Sequence, residues 1–248
     1  MIYATGDTHG NFRQFEPEFF PEQAEMGRDD YVIICGDFGG VWDGKKAESK
    51  TLDWLESLPF TLLFVSGNHE NFDLLAKYPV EEWRGGKIQR IRPHVIHLMR
   101  GQVFELDGYT FFTIGGASSH DIEDGILDPA APGFKELYAD LRNTGGRFRV
   151  KHRSWWEAEL PSPEEYEEAR RNLERVNYEV DYIITHCAPS SIVDQLSGGT
   201  YDHDHLTDFL EEVKGKLDFH YWLFGHYHDN RIINDRFVLL WEQIVKAL

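Results

Sequence analysis

Short apolar runs rich in β-branched and aromatic residues recur along the chain, each bounded by Gly, Asp, Asn or Pro. They are Ile2–Thr5, Tyr31–Cys35, Thr61–Ser66, Val95–Met99, Tyr109–Ile114, Tyr182–Thr185, Tyr221–Phe224 and Phe237–Trp241. Runs this short with such boundaries predict strands. Helical spacing falls between several of them. The clearest case starts at Ser162-Pro163-Glu164-Glu165, which offers an N-cap, a proline at the first helical position and a capping-box Glu. Tyr166, Ala169, Leu173 and Val176 then repeat every three or four residues and define one buried stripe. Ala47–Leu58, Phe72–Tyr78 and Asp204–Lys214 carry weaker versions of the same pattern.

Strands alternating with helices predict an α/β fold, whereas Val103–Ile114, turning at Asp107-Gly108, reads as an antiparallel hairpin. The two together predict a mixed sheet. The periodicity dissolves between Ser118 and Pro161 into polar, Gly- and Pro-rich sequence. A stretch of that length predicts a functional loop or lid inserted into a single domain spanning residues 1–248. The adjacent Trp155 and Trp156 favour a packed excursion over a disordered one, and stacking against a base or aryl group is the alternative role for them.

Composition narrows the function. With 41% hydrophobic and 14% aromatic residues among 248, the chain can bury a sizeable core. Its formal charge of −18 opposes nonspecific binding to a polyanion, so long nucleic acid is not an expected partner. The two cysteines, Cys35 and Cys187, sit inside apolar segments and suit a reducing compartment. No apolar run approaches the ~20 residues that span a bilayer, so no membrane association is expected. Asp7, if it serves the site, leaves no room for a removable leader, and a cytoplasmic location is the resulting expectation. Nothing in the pattern fixes an oligomeric state.

The residues that carry chemistry lie just past the strand ends. Ile2–Thr5 runs into Gly6-Asp7-Thr8-His9, Tyr31–Cys35 into Gly36-Asp37, and Thr61–Ser66 into Gly67-Asn68-His69-Glu70. Tyr182–Thr185 runs into His186, and Tyr221–Phe224 into Gly225-His226-Tyr227-His228. Ligands of open α/β sheets bind at the carboxyl ends of the strands, so these side chains should converge. Asp7, His9, Asp37, Asn68, His186, His226 and His228 exceed the four ligands of one tetrahedral zinc. They suit two metals sharing a carboxylate, the arrangement that clamps a phosphoryl group and generates a hydroxide nucleophile.

The motifs GDTHG, GD, GNHE, TH and GHYH, in that order across nearly the whole chain, resemble those of the calcineurin-like metallophosphoesterases. GGASSHD, WWEAE and DYIITHCAPSS look like a bacterial and phage branch of that superfamily. The resemblance implies a four-layer α/β/β/α sandwich of two mixed β-sheets. It implies that Asp7, His9 and His228 hold one divalent ion, that Asn68, His186 and His226 hold a second, and that Asp37 bridges them. Mn²⁺ is the expected metal, with Fe or Zn²⁺ as alternatives. His69 resembles the group that contacts substrate phosphate, beside Asn68, and protonates the leaving oxygen as general acid. The implied activity is hydrolysis of a phosphomonoester or phosphodiester by attack of metal-bound hydroxide. The expected substrate is a small phosphate ester or nucleotide. The alternatives are a nuclease or cyclic-nucleotide phosphodiesterase acting on short nucleic acids, and a catalytically reduced metal-binding scaffold.

One departure stands out. Protein phosphatases of this family carry Asp-Arg-Gly after the second motif, where this chain reads Gly36-Asp37-Phe38-Gly39-Gly40-Val41-Trp42-Asp43, so both the phosphate-binding Arg and the Asp that supports the general acid are absent from their places. Asp43, Asp73 or Glu70 could replace the missing support for the general acid, and Arg13, Arg149 or Arg153 the missing phosphate ligand. His94, His97, His120, His152, His203, His205 and His220 read as ordinary surface or core residues, with Asp202 or Asp204 capping the helix beside His205.

Overall fold

A computed structural model describes residues 1–247. Its strands are β1 (Ile2–Thr5), β2 (Tyr31–Ile34), β3 (Thr61–Phe64), β4 (Val80–Trp83), β5 (Gly86–Arg92), β6 (Val95–Leu98), β7 (Gln102–Leu106), β8 (Tyr109–Ile114), β9 (Ile126–Leu127), β10 (Arg149–Val150), β11 (Tyr182–Thr185), β12 (Tyr221–Phe224), β13 (Arg231–Ile233), β14 (Phe237–Leu239) and β15 (Val245–Lys246). The helices are α1 (Lys46–Ser57), α2 (Phe72–Leu75), α3 (Phe134–Thr144), α4 (Pro163–Arg175), α5 (Ser190–Ser197) and α6 (His205–Lys216).

Two mixed sheets form, in the orders β15-β1-β2-β3-β6-β5-β4 and β13-β14-β12-β11-β8-β7. Each has four parallel strands at its centre, β1-β2-β3-β6 in one and β8-β11-β12-β14 in the other, flanked by antiparallel strands. Period-two alternation explains the layering. Ile33, Leu63, Phe111 and Ile184 point between the sheets into a shared core. Val32, Ile34, Leu62 and Phe64 face the other way, onto Leu52 and Leu55 of α1. Phe112, Ile183 and Trp222 pack against α4, α5 and α6 through Ala169, Ile192 and Phe209. The result is the expected α/β/β/α sandwich.

The capping box at α4 is present: the Ser162 hydroxyl accepts from Glu165 N–H, and the Glu165 carboxylate accepts from Ser162 N–H at 2.7 Å. Asp204 caps α6. Three expectations change. The helix at Phe72–Tyr78 shrinks to the four residues of α2. β4 escaped the pattern because it is the edge strand, where VEEW interleaves charges that protect an open edge, and β5, paired between β6 and β4, because GKIQRIR breaks its apolar residues with basic ones. The 118–161 segment is not structureless, since it contains α3, the parallel β9–β10 pair and a short 3-10 turn. α3 carries Phe134, Leu137, Tyr138 and Leu141 at helical spacing although none of them is fully buried, and the Gly- and Pro-rich sequence on either side of it reads as loop. Among the described residues, no helix is long and apolar enough to cross a membrane.

Candidate metal and phosphate site

Parallel strands end at one edge, so both sheets deliver their post-strand residues to the same place. Asp7 and His9 follow β1, Asp37 follows β2, Asn68 and His69 follow β3, His186 follows β11, and His226 and His228 follow β12. Asp7, Asp37, Asn68 and His186 are buried, whereas His9 and His228 are exposed. Ligand atoms of Asp7, His9 and His228 lie within 4.8 Å of one another, as do those of Asp7, Asp37 and His186.

The backbone is bent to achieve this. His9, Asp37, His226 and His228 occupy left-handed conformations, with φ of 47°, 49°, 72° and 47°. Side chains rarely adopt that region, and it recurs where function over-determines the backbone. Two glycines are required by close approach: a Cβ on Gly67 would lie 2.0 Å from Asp37 Oδ1, and one on Gly225 would lie 2.2 Å from Asp7 Oδ1.

Hydrogen bonds orient the donor atoms. His186 Nδ1–H donates to the Cys35 carbonyl at 2.8 Å, which leaves Nε2 as a lone pair. That nitrogen faces Asn68 Oδ1 at 3.2 Å and Asp37 Oδ1 at 3.4 Å. Asn68 is turned this way because its Nδ2 donates to Ser119 Oγ at 3.3 Å. Three acceptors therefore meet with no hydrogen between them unless a cation enters. Without a metal the cation is a proton: burial alone would depress His186, but the Asp37 and Asp7 carboxylates outweigh it and raise its pKa. Burial opposes ionisation of Asp37, yet His186 holds it well below the usual carboxylate range. At the open side, His9 Nε2 and His228 Nε2 face each other at 3.1 Å, and His228 Nε2 lies 3.3 Å from Asp7 Oδ2. The donor set of carboxylate and amide oxygens with imidazole nitrogens fits divalent metals.

A family model described as calcineurin-like phosphoesterase matches residues 1–230. The chain belongs to that family. No curated protein matches it. As a calcineurin-like phosphoesterase it is a metal-dependent hydrolase in general character, and its departures from the family motif become the informative residues.

His69 stands beside His9, with ring centroids 5.1 Å apart, and its N–H donates to Asp37 Oδ1 at 2.8 Å. Burial pushes the ring below its ordinary pKa; Asp37 opposes this and Arg149 adds to it. Of the candidate supports, Glu70 is committed to the Phe38 and Gly67 N–H groups, Asp43 pairs with Lys45, and Asp73 accepts from His152 and Trp156. Of the candidate phosphate ligands, Arg13 stacks on Phe19 and Arg153 on Phe134. Arg149 reaches the site, with Nη2 3.4 Å from His69 Nε2.

His226 differs from the simple expectation. Its ring packs on His186 with centroids 5.0 Å apart, but its Nε2 faces His120 Nε2 at 3.0 Å. His120, which the sequence reads as an ordinary histidine, therefore lies against the candidate site through His226. A signal for it exists: GGASSHD comes after β8, a central parallel strand, just as the other motifs come after theirs. Beside the site, His9, His69, Phe12, Gly40, Trp42 and Glu48 help line a cavity of about 380 Å³.

Proposed function

We propose that this protein is a dinuclear, divalent-metal-dependent phosphoesterase acting on small phosphate esters or nucleotides. Asp7, His9 and His228 would hold one ion, Asn68, His186 and His226 the other, and Asp37 both. Mn²⁺ suits this mixed oxygen and imidazole set, as do Fe and Zn²⁺. The carrying observation is the meeting of His186 Nε2, Asn68 Oδ1 and Asp37 Oδ1 with their hydrogens directed elsewhere. Divalent ions held there supply charge neutralisation for phosphoryl oxygens and acidify water.

The chain's own residues do the rest. The Cys35 carbonyl keeps His186 in the tautomer that presents Nε2, and Ser119 keeps the Asn68 oxygen turned inward. His69 holds a proton for the leaving oxygen, and a phosphoryl dianion seated against its ring offsets the lowering that burial and Arg149 impose. The charge of −18 supports small substrates over long nucleic acid. The two cysteines, buried and unpaired, support a reducing, cytoplasmic setting.

The test is hydrolysis of p-nitrophenyl phosphate and its bis ester in Mn²⁺, alongside metal content by elemental analysis. Turnover with two bound ions is expected. Asp37→Asn should lose metal and His69→Ala should keep it while losing about 10²–10⁴-fold in rate. A wild-type protein that binds no metal, or a His69→Ala enzyme with full turnover, refutes the assignment.

A further inference from the structure

The 118–161 segment is stitched to the site at two points. At one, Ser119 N–H and Oγ–H donate to the buried Glu159 carboxylate at 3.0 and 2.8 Å, while Ser119 Oγ receives Asn68 Nδ2. At the other, Trp156 Nε1–H and His152 Nδ1 reach Asp73 Oδ2, each at 2.8 Å, four residues after His69. Between these tethers β10 pairs with β9, with Arg149 opposite Ile126, and Arg149 N–H donates to the Gly125 carbonyl at 3.2 Å.

That framework presents one guanidinium. Asp121 takes Arg149 Nε at 2.8 Å and Nη2 at 2.6 Å, a side-on fork that fixes the plane of the group and leaves the Nη1 edge free. The Arg149 side chain is only 16% exposed. Two of its five donors go to Asp121, and the Nη2 edge is turned to His69. Among the described residues, Nη1 has no hydrogen-bond partner. A partly buried cation with donors left over, aimed at the histidine of the GNHE motif, is arranged for an incoming anion.

We propose that Arg149, held by Asp121, is a substrate-phosphate ligand of this site, supplied by the inserted segment where Asp-Arg-Gly is absent, and that it favours phosphomonoesters. The inference rests on the phosphoesterase reading. A monoester dianion has three nonbridging oxygens and a diester anion two. The oxygen and charge that distinguish them are what a guanidinium fork recognises. Asp121 acts as the positioning residue.

The experiment compares metal-loaded wild type with Arg149→Ala, Arg149→Lys and Asp121→Asn. The readouts are metal content, inorganic phosphate affinity by calorimetry, and kcat and KM on p-nitrophenyl phosphate and its bis ester. Arg149→Ala should keep both metals, weaken inorganic phosphate by about 10- to 100-fold, and lose monoesterase far more than diesterase activity. Guanidinium ion in the buffer should restore part of the loss in Arg149→Ala, and Arg149→Lys should fall between. Asp121→Asn should raise KM with a smaller change in kcat. Unchanged phosphate affinity, equal losses on both esters, or phosphate affinity that falls only with metal content overturns the proposal. A wild type that turns over both esters while Arg149→Ala matches it overturns the proposal alone. A wild type that binds neither metal nor phosphate overturns the underlying reading as well.

Discussion

His97 makes the stability of the central sheet sensitive to acid. It is buried on β6, donates from Nδ1 to Gln89 Oε1 at 2.9 Å, and leaves Nε2 without a partner. The donor must be His97, because Gln89 directs its own Nε2 hydrogens to the Leu75 and Tyr78 carbonyls. Burial, with Arg100 adding to it, pushes the imidazole from 6.5 down to about 3. A folded pKa below the unfolded one means that the stabilisation is complete above the unfolded value and drains away as pH falls toward the folded one. Integrating protonation from about pH 7.5 to about pH 5 gives a loss of roughly 2 kcal/mol from this residue, and roughly 3 by about pH 4. The consequence reaches the site, since His97 stacks on Phe64 at 4.9 Å and Phe64 on Phe38 at 4.1 Å, next to Asp37. His97→Phe keeps the stack but strands the Gln89 oxygen, at about 1–3 kcal/mol at every pH. Urea midpoints followed by tryptophan fluorescence, with chelator present in both proteins, should show the variant less stable near neutrality and the two curves converging on acidification. Parallel curves between about pH 7.5 and about pH 5 refute the reasoning.

Two further outcomes rest on close contacts. Gly67→Ala places a methyl 2.0 Å from Asp37 Oδ1, so the metal stoichiometry should drop and stability fall by about 1–3 kcal/mol; an unchanged metal count by elemental analysis contradicts this. Asp73→Ala strands the Nε1–H of the buried Trp156 and releases His152, so proteolytic cleavage within residues 118–161 should quicken while the sandwich stays folded. An unchanged digestion pattern refutes the tether.

Eight strands and the α/β/β/α layering were legible because buried parallel strands read as uninterrupted apolar runs, as in YVII and YIIT. The strand-end residues were legible for a related reason. Asp7, Asp37 and His186 lie in turns immediately beyond such runs, where a charged side chain at the carboxyl end has few structural uses. β4 was hidden by its place at the sheet edge, β5 by the basic residues interleaved in GKIQRIR, and α3, whose Phe134, Leu137, Tyr138 and Leu141 recur at helical spacing, by the Gly- and Pro-rich sequence around it. His120 and Arg149 were legible only in part. GGASSHD follows a central strand, and Arg149 is one of three candidate phosphate ligands, but the contacts span 106 residues to His226 and 80 to His69, and the local sequence does not single out which histidine or arginine makes them.

The division has a physical logic. The residues after the central strands form a concentration of oxygen and imidazole acceptors, which attracts cations and by itself repels a phosphate. Such a site in a chain of charge −18 needs positive groups at its mouth to admit an anion, beyond the ions it binds. Arg149 lies in the inserted segment, separate from the strand ends, and a cation so placed can face the phosphate without competing for the acceptors that hold metal. Asp121 then stabilises the guanidinium in the metal-free protein by giving it a carboxylate partner. If the strand ends hold the metals and the inserted segment binds the phosphate, as proposed, substitutions in the two groups should separate: those at Asp7, Asp37 or His186 should cost metal, and those at Arg149 or Asp121 should cost phosphate affinity with metal retained.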